Sequence, residues 1–221
     1  MTAYAFIPAR GGSTRVPRKN LALVGGRSLV ASAIDVAHEA GLHAVVSTED
    51  SEIAAVAAAL GAEVHARPAG LATSLAQIEP AIVHWLLRCD DAQTIALLQP
   101  TSPFRTASIV RRCLEALERG YDTAVTVHLD ASRAFFWGRM RGERVVWERD
   151  AGHRPPTQTL EPVAIENGCC YAFGRHHMLR TKSRMGGREC AVVIERDEAI
   201  DIDTPADLDL ARAIAEMRRA A

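Results

Sequence analysis

The sequence has few features that would mark a membrane or nucleic-acid protein. No apolar run approaches the roughly 20 residues that span a bilayer, and the net charge is only −1 over 221 residues. The composition, with 48% hydrophobic, 24% charged and 5% aromatic residues, is ordinary for a globular protein. The first residues also lack the charged segment with which a secretory signal peptide begins. We therefore expect a cytoplasmic protein that binds neither nucleic acid nor membrane.

Cysteine and histidine are present, but they form no metal or redox motif. The cysteines are Cys89, Cys113, Cys169, Cys170 and Cys190. They are odd in number, show no CxxC spacing, and three of them sit in apolar surroundings typical of strands, which favours a role in the core. The eight histidines contain no HExxH pattern, and the adjacent pair at 176 and 177 is expected in a loop.

Short apolar runs alternate with helical periodicity along most of the chain. The predicted strands are 3–8, 43–47, 63–65, 94–98, 123–128, 168–173 and 191–194. The predicted helices are 29–40, 51–60, 75–88, 106–119 and one that begins at Thr204-Pro205, where a cap residue precedes a proline. This alternation predicts one α/β domain over 1–221, with a mostly parallel sheet between two helical layers, a three-layer αβα arrangement. The pattern weakens at about 129–164, where we expect a hairpin-bearing excursion from the sheet.

The loop after the first strand is the first candidate site. Its sequence, IPARGGSTRVPRKN at 7–20, holds two adjacent glycines, a serine and four cations. Adjacent glycines let backbone N–H groups approach phosphate oxygens, and cations neutralise the charge that a departing pyrophosphate develops. The spacing fits neither GxxxxGK[ST] nor GxGxxG, which excludes an ATPase P-loop and argues against a dinucleotide fold. A tight turn with exposed arginines is the structural alternative.

Two further segments follow predicted strands, where ligands of open α/β sheets bind. LLQPTSPFR at 97–105 places a glutamine and an arginine on a rigid turn with two prolines, although the turn could simply cap the next helix. IDIDTPADL at 200–208 carries Asp201 and Asp203, two positions apart. In an extended segment both carboxylates face one side and can address one hard cation such as Mg²⁺, unless they only cap the following helix.

In this order the motifs resemble the sugar-acid cytidylyltransferase family, which includes the CMP-acylneuraminate, CMP-legionaminate and CMP-pseudaminate synthetases. The matching family patterns are close to IPARGGSKGIPxKN, RPxxLA, LLQPTSPLR and DIDTxxDL. The resemblance implies a nucleotide-diphospho-sugar transferase (GT-A-like) fold. It also implies transfer of CMP from CTP to an acidic acceptor of the N-acylneuraminate type, with release of pyrophosphate and with Mg²⁺ as cofactor. Because the excursion exchanges across a dimer in sialate-type enzymes, the resemblance implies a homodimer.

The resemblance also implies roles for individual residues. The nucleotide-binding set is Ala9, Arg10, Gly11, Gly12, Ser13, Lys19, Asn20 and Arg67. The acceptor-binding set is Gln99, Thr101, Ser102, Arg105, Gln158 and Asn167. The catalytic set is Arg15, Lys19, Asp201 and Asp203, of which the two aspartates are the implied Mg²⁺ ligands.

The chain departs from the family pattern at three points. Thr14-Arg15 stands where the family commonly has Lys-Gly, so Arg15 is the candidate for the missing cation. Thr157 and Thr159 replace an arginine before Gln158 and an aspartate after it, and Ser74 stands where an aspartate is frequent. These departures leave three alternatives open. They are another acceptor, either Kdo-like or a small carboxylate or phosphonate; a glycosyltransferase-like nucleotide-sugar binder, although Gln99-Pro100-Thr101 stands at the end of the central strand where its DxD motif is expected; and a nucleotide-binding homologue without turnover.

Overall fold

The computed structural model describes residues 2–131, 136–147, 152 and 154–220. The strands are β1 Ala3–Pro8, β2 Leu23–Val24, β3 Arg27–Ser28, β4 His43–Thr48, β5 Glu63–Ala66, β6 Thr94–Leu97, β7 Thr123–Asp130, β8 Gly138–Arg141, β9 Arg144–Trp147, β10 Val163–Gly174 and β11 Glu189–Val193. The helices are α1 Leu29–Glu39, α2 Ser51–Ala59, α3 Glu79–Leu86, α4 Ala107–Glu118, α5 Arg175–Thr181 and α6 Pro205–Ala220. None of these helices is long and apolar enough to cross a membrane.

Seven strands form the central sheet in the order β11-β7-β10-β6-β1-β4-β5. Neighbouring strands run parallel except at β10, which is antiparallel to both β6 and β7. The exception has a topological reason, because the described residues between β7 and β10 form no α-helix that could return the chain to the starting end of the sheet. The predicted mostly parallel sheet is confirmed.

Apolar side chains cover both faces of the sheet, and alternate residues of β1 show the division. Ala5 and Ile7 pack with α1, α2 and α4 on one face. Tyr4 and Phe6 pack with α3 and α5 on the other. This alternation follows from the two-residue period of a strand, and it confirms the three-layer αβα arrangement. Cys113, Cys169 and Cys170 are fully buried between the sheet and the layer of α1, α2 and α4, as expected for core cysteines. All five cysteines are free thiols.

Two helical predictions need correction. The helix expected over 75–88 begins only at Glu79, because a proline at position 80 fits the first turn but would clash with the carbonyl four residues earlier inside a longer helix. The loop expected around His176 and His177 is instead α5, and His177 is buried. With seven residues, α5 is too short to produce a clear helical period in the sequence.

The excursion between β7 and β10 was expected at about 129–164. Sheet pairing extends to Asp130 and Val163, which lie opposite each other within one residue of these bounds. The predicted hairpin is present as β8 and β9, which pair antiparallel from Gly138–Trp147 to Arg141–Arg144. Residues 132–135, 148–151 and 153 of the predicted excursion lie outside the described residues.

Candidate active site

A polar cleft of about 330 Å³ opens at the carboxyl ends of the central parallel strands. Four segments meet there: the loop after β1, the segment after β5, the turn after β6, and the stretch that precedes α6. The carboxyl ends of parallel strands share one edge of a sheet, so segments far apart in sequence converge at this point. Ten predicted site residues line the cleft: Arg10, Ser13, Arg15, Lys19, Asn20, Arg67, Gln99, Thr101, Asp201 and Asp203.

Hydrogen bonds between side chains and its backbone hold the loop after β1 in place. Gly11 N–H donates to Glu49 Oε1 at 2.8 Å, and a Cβ at Gly11 would lie 2.5 Å from Asp50 Oδ2, so any side chain there would force Asp50 to move. Asn20 is buried and donates from Nδ2 to the carbonyl of Arg10 at 2.8 Å. The first glycine therefore allows a close approach to the start of α2, and it does not line the cleft.

Ala9 and Gly12, also predicted to bind nucleotide, are likewise absent from the cleft lining. The Ala9 side chain is fully buried, and its N–H donates to the carbonyl of Ser47 at 2.9 Å. An added Cβ at Gly12 would meet nothing within 4 Å. The structure thus gives Ala9 a place in the core beneath the loop, while the predicted nucleotide contacts of Ala9, Gly11 and Gly12 stay predictions.

Two cations of the loop converge on one carboxylate. Arg15 Nη2 lies 2.8 Å from Asp203 Oδ1, and Lys19 Nζ lies 3.2 Å from the same oxygen. Lys19 also donates to the carbonyl of Ile202 at 2.7 Å, and only 14% of its side chain is exposed. The Lys19 ammonium is therefore fixed at the floor of the cleft, whereas the more exposed Arg15 stands at its rim.

The second carboxylate, Asp201, has a different environment. Its surface is open to the cleft, yet the protein around the carboxyl group deprives it of hydration, which raises its pKa. The negative charge of Asp203 adds to the rise, while a hydrogen bond from Thr101 and the charge of Lys19 oppose it. An under-solvated carboxylate beside a second acid is a group that gains from an added cation.

Arg67 supplies a cation from the wall opposite Asp201 and Asp203. It is 8% exposed, and its Nε and Nη2 donate to Oγ and the carbonyl of Ser47 at 3.0 and 2.8 Å. Burial lowers the pKa of Arg67, and the nearby charge of Glu49 opposes that shift. Since arginine remains protonated in proteins, Arg67 is a buried, fixed positive charge at the cleft.

The turn after β6 divides the predicted acceptor residues into two groups. Gln99 and Thr101 line the cleft, whereas Ser102 and Arg105 are buried behind it. Arg105 donates to the carbonyls of Gln99 and Cys169 at 2.6 to 3.1 Å, so it braces the turn that presents Gln99. In this chain Arg105 therefore shapes the cleft from below.

Asn167 and Gln158 do not line this cleft. Asn167 is buried, and its Oδ1 accepts from Thr126 Oγ1 at 2.8 Å and from the Cys169 N–H at 3.1 Å. The following Gly168 has φ +73°, and a Cβ there would lie 3.3 Å from Gln99 Nε2. Gln158 is exposed and lines a separate cleft of about 620 Å³ near the ends of β7 and β11. Within one chain the predicted acceptor-binding residues are therefore not all brought together.

One wall of the cleft comes from a segment that the sequence marked only weakly. Thr73, Ser74, Gln77 and Ile78 line the cleft between β5 and α3. Arg10 Nη1 donates to the carbonyl of Thr73 at 2.8 Å and ties this segment to the loop after β1. The RPxxLA similarity and the family position held by Ser74 pointed to this wall, whereas Gln77 and Ile78 fell inside the helix predicted over 75–88, which begins only at Glu79.

The charged groups fit a divalent cation only in combination with a ligand. Among the described residues, no group of three or more histidine, cysteine, aspartate or glutamate side chains is arranged to hold a metal. Mg²⁺ is commonly held by one or two carboxylates together with substrate phosphates. Asp201, with its raised pKa and its surface open to the cleft, is suited to that arrangement, whereas Oδ1 of Asp203 already accepts from two cations.

Comparison with known proteins places this cleft in context. Residues 4–136 match the sequence model of the family described as cytidylyltransferase. The chain is 31% identical over 238 aligned positions to the CMP-N,N'-diacetyllegionaminic acid synthase of Legionella pneumophila subsp. pneumophila, covering 100% of this chain and 99% of that protein. It is 27% identical over 219 positions to the N-acylneuraminate cytidylyltransferase of Escherichia coli O18:K1:H7, covering 97% of this chain.

The chain spans only 52% of the length of the Escherichia coli relative. Among solved structures, a CMP:2-keto-3-deoxy-manno-octonic acid synthetase complexed with CTP superposes with a TM-score of 0.75 at 17% identity. That superposition covers 99% of this chain and 100% of the other. At this level of identity the likeness concerns the fold, and it agrees with the layered sheet described above.

Proposed function

Since the chain belongs to the cytidylyltransferase family, we propose that it transfers CMP from CTP to a sugar acid of the N-acylneuraminate type and releases pyrophosphate. The observation that carries the proposal is the single cleft in which fixed cations face an under-solvated carboxylate. Lys19 and Arg67 are anchored on opposite sides, and Asp201 lies between the loop after β1 and the turn after β6. This is an arrangement for a polyanionic ligand.

The residues of the cleft suggest how the reaction is supported. The loop cations would neutralise the phosphates of CTP as negative charge develops on the leaving pyrophosphate. Gln99, braced by Arg105, would hold the acceptor so that its hydroxyl approaches the α-phosphorus in line with the leaving group. Positioning and charge neutralisation would provide most of the rate enhancement, as in other phosphoryl transfers.

Mg²⁺ belongs to the proposal as the cofactor, with Asp201 as its principal ligand and Asp203 as the second candidate. When bound, the ion would neutralise phosphate charge and favour loss of the acceptor proton. The support comes from the chemistry of the donors, since carboxylates are hard oxygen ligands and the local repulsion at Asp201 is relieved by a cation. Arg15, paired with Asp203 at the rim, would stand close to the outer phosphates.

A homodimer in the cytoplasm completes the proposal. The β8–β9 hairpin exposes large apolar side chains, among them Met140, Val145 and Trp147, as surfaces that become buried on association commonly do. Gln158 could then contact the acceptor bound by the partner subunit, which would explain why it lies away from the cleft of its own chain. Five free cysteines suit a reducing compartment.

The test is pyrophosphate release in the presence of Mg²⁺, measured for each of the four nucleoside triphosphates against a panel of acidic acceptors. We expect release with CTP and an N-acylneuraminate-type acid and not with ATP, GTP or UTP. Release only with a Kdo-like acid or a small carboxylate would keep the chemistry and change the acceptor. No release across the panel, in the presence of tight CTP binding, would contradict turnover and favour a nucleotide-binding homologue.

A further inference from the structure

Arg67 is connected to three buried or partly buried polar side chains that the proposed reaction does not use. Ser47 Oγ, which accepts from Arg67, also lies 2.9 Å from Nδ1 of His65. Nε2 of the same histidine lies 2.8 Å from Nδ1 of His84. We call Arg67, Ser47, His65 and His84 the His65 network. It leads from the cleft across β4 and the edge strand β5 to helix α3.

The donors and acceptors of the side chains limit how this network can be hydrogen-bonded. The guanidinium of Arg67 has only donors, so Ser47 Oγ accepts from it. Ser47 Oγ keeps one lone pair and one proton for Nδ1 of His65, so it either donates to this nitrogen or accepts from it. In either neutral tautomer, one ring nitrogen of His65 bonds to Ser47 Oγ and the other bonds to His84. The His65 ring therefore joins Ser47 to His84 in its neutral form.

The surroundings hold His65 in that neutral form. It is 7% exposed, and burial together with His84 and Arg67 lowers its pKa to about 4. Its ring faces Phe6 at a centroid distance of 6.1 Å, and Ser47 lies directly opposite it in the parallel pairing of β4 with β5. A protonated His65 would place a second positive charge next to Arg67 in a buried site, which is costly.

The network fixes one edge of the guanidinium and leaves the other edge to the cleft. Nε and Nη2 of Arg67 are committed to Ser47, whereas Nη1 has no hydrogen-bond partner among the described residues. Since Arg67 lines the cleft, Nη1 is available to a ligand there. Ser47 Oγ, held by its hydrogen bond with Nδ1 of His65, and the Ser47 carbonyl together therefore fix where Nη1 points.

We propose that His65 is a positioning residue for nucleotide binding, which acts through Ser47 to aim the Arg67 guanidinium at the nucleotide in the cleft. The proposal rests on the proposed function in so far as the nucleotide is CTP. Its alternative is that His65 is merely a satisfied core histidine, which would matter for stability and not for the nucleotide. Loss of the correct aim should weaken CTP binding about tenfold, the amount that one hydrogen bond of about 1.4 kcal/mol represents.

Two variants of His65 distinguish the contributions of its two ring nitrogens. His65→Asn keeps an acceptor close to the position of Nδ1 and loses the contact with His84. His65→Gln keeps a hydrogen-bonding group close to the position of Nε2 and loses the partner of Ser47 Oγ. If His65 acts through Ser47, the glutamine variant binds CTP about tenfold more weakly, while the asparagine variant stays close to the native chain.

The matched control is His177→Leu, which changes another buried histidine. His177 lies on α5, is 6% exposed, and contacts the carbonyl of Met185 at 3.3 Å, outside the cleft lining. We would measure the equilibrium dissociation constant of CTP, the KM for CTP, the KM for the acceptor and kcat, together with the thermal unfolding midpoint of each variant. A purely structural role would lower the midpoint without separating the asparagine variant from the glutamine variant in CTP affinity.

The outcomes distinguish this proposal from the proposed function. A rise in the CTP dissociation constant and KM for His65→Gln alone, with the acceptor KM unchanged, supports positioning through Ser47. Equal CTP affinities for the native chain, His65→Asn and His65→Gln would overturn it, whatever happens to stability. If the native chain binds CTP without turnover, the proposed activity fails while the affinities still test the network. A chain that binds none of the four nucleoside triphosphates would overturn both.

Discussion

At the scale of single residues, the two aspartates of the IDIDT segment show how identical side chains acquire different roles. Asp203 accepts from both Arg15 and Lys19, so its charge is already balanced by the protein. Asp201 has no such pair of cations, and loss of hydration raises its pKa. The spacing alone predicted two equivalent metal ligands, whereas the structure makes Asp201 the more available one.

Asp201→Asn should reduce activity and leave the fold at least as stable as before. The raised pKa means that the native state holds the Asp201 proton more tightly than the unfolded state does. Ionised Asp201 therefore weakens the fold as the pH rises through that pKa, and the neutral amide removes this effect at pH 7. We expect a loss of about 100-fold in kcat and a thermal unfolding midpoint that is unchanged or higher. A clear fall in the midpoint would contradict this reading of Asp201.

Arg15→Ala should raise the KM for CTP and change the free energy of unfolding very little. The Arg15 and Asp203 side chains are 64% and 44% exposed, and an ion pair so open to solvent contributes about 0 to 1 kcal/mol to folding. Loss of a cation beside the phosphates should raise the KM for CTP about tenfold. Arg212→Ala is the control, because Arg212 forms an exposed pair with Asp209 and does not line the cleft. Equal effects of the two variants on KM would exclude a role for Arg15 at the nucleotide.

Much of the cleft could be predicted from the motifs, but the orientation of each side chain could not. Lys19 and Gln99 were expected at a ligand and do line the cleft. Arg105 was expected there on equally strong sequence similarity, yet it bonds to carbonyls behind the turn. The sequence does not distinguish an arginine that faces a ligand from one that bonds to the backbone, because the fold determines the orientation of the side chain. His65 carried no motif, so its link to Arg67 was not visible in the sequence.

At the scale of elements, buried strands were the most predictable part and short helices the least. Strand β1 begins and ends as predicted, because a fully apolar run that opens into a glycine loop has few other interpretations. Helix α5 was missed, and the start of α3 was placed four residues too early. In both cases the local sequence lacked a clear helical signal. The two helices are stabilised by packing of Met178, Ile82 and Trp85 against the sheet, which the sequence alone does not show.

Thr204→Ala should weaken both helix α6 and the active site. Asp207 Oδ2 accepts from the N–H and the hydroxyl of Thr204 at 2.7 and 2.8 Å, and from the N–H of Asp203 at 3.1 Å. Thr204 Oγ1 also accepts from the N–H of Asp207 at 3.3 Å, and loss of this cap should cost about 1 kcal/mol of unfolding free energy, measured by urea denaturation. Because the Thr204 hydroxyl also holds the Asp207 carboxylate that accepts from the N–H of Asp203, we also expect a several-fold lower kcat.

The control for that prediction is the cap of α1. Ser28 Oγ accepts from the N–H of Ala31 at 3.3 Å, and Ser28 does not line the cleft. Ser28→Ala should therefore lose a similar amount of stability, about 1 kcal/mol, while kcat stays at the native value. Equal kcat values for the two cap variants would show that the cap of α6 acts on folding alone.

At the scale of the whole molecule, the acid limb of the stability profile should depend on His65. Its ordinary pKa is 6.5, and its pKa in the fold is about 4. Between these values the unfolded chain binds a proton that the native chain does not, so stability is complete above pH 6.5 and falls as the pH drops toward 4. The loss across this window should reach about 3 kcal/mol. His65→Asn, compared by urea denaturation at pH 7 and pH 5, should show a smaller difference than the native chain.

The association of the whole molecule should depend on one face of the β8–β9 hairpin. Pairing of Met140 with Val145 and of Gly138 with Trp147 places these side chains on one face, while Val146 pairs with Arg139 on the other. The first face carries Met140, Val145 and Trp147 with 65%, 42% and 39% of their surfaces exposed. Such a cluster is the expected contact between two copies of the chain.

Val145→Glu should convert the proposed dimer to a monomer, because it places a charge within the apolar face. Val146→Glu is the matched control, since it adds the same charge one residue away on the opposite face of the hairpin. Sedimentation velocity at several protein concentrations would give the mass of each variant. Dissociation by Val146→Glu and not by Val145→Glu would reverse the assignment of the contact face, and a native chain that sediments as a monomer would reject the dimer. If Gln158 serves the partner's cleft, monomeric Val145→Glu should also show a higher KM for the acceptor while its CTP affinity remains native.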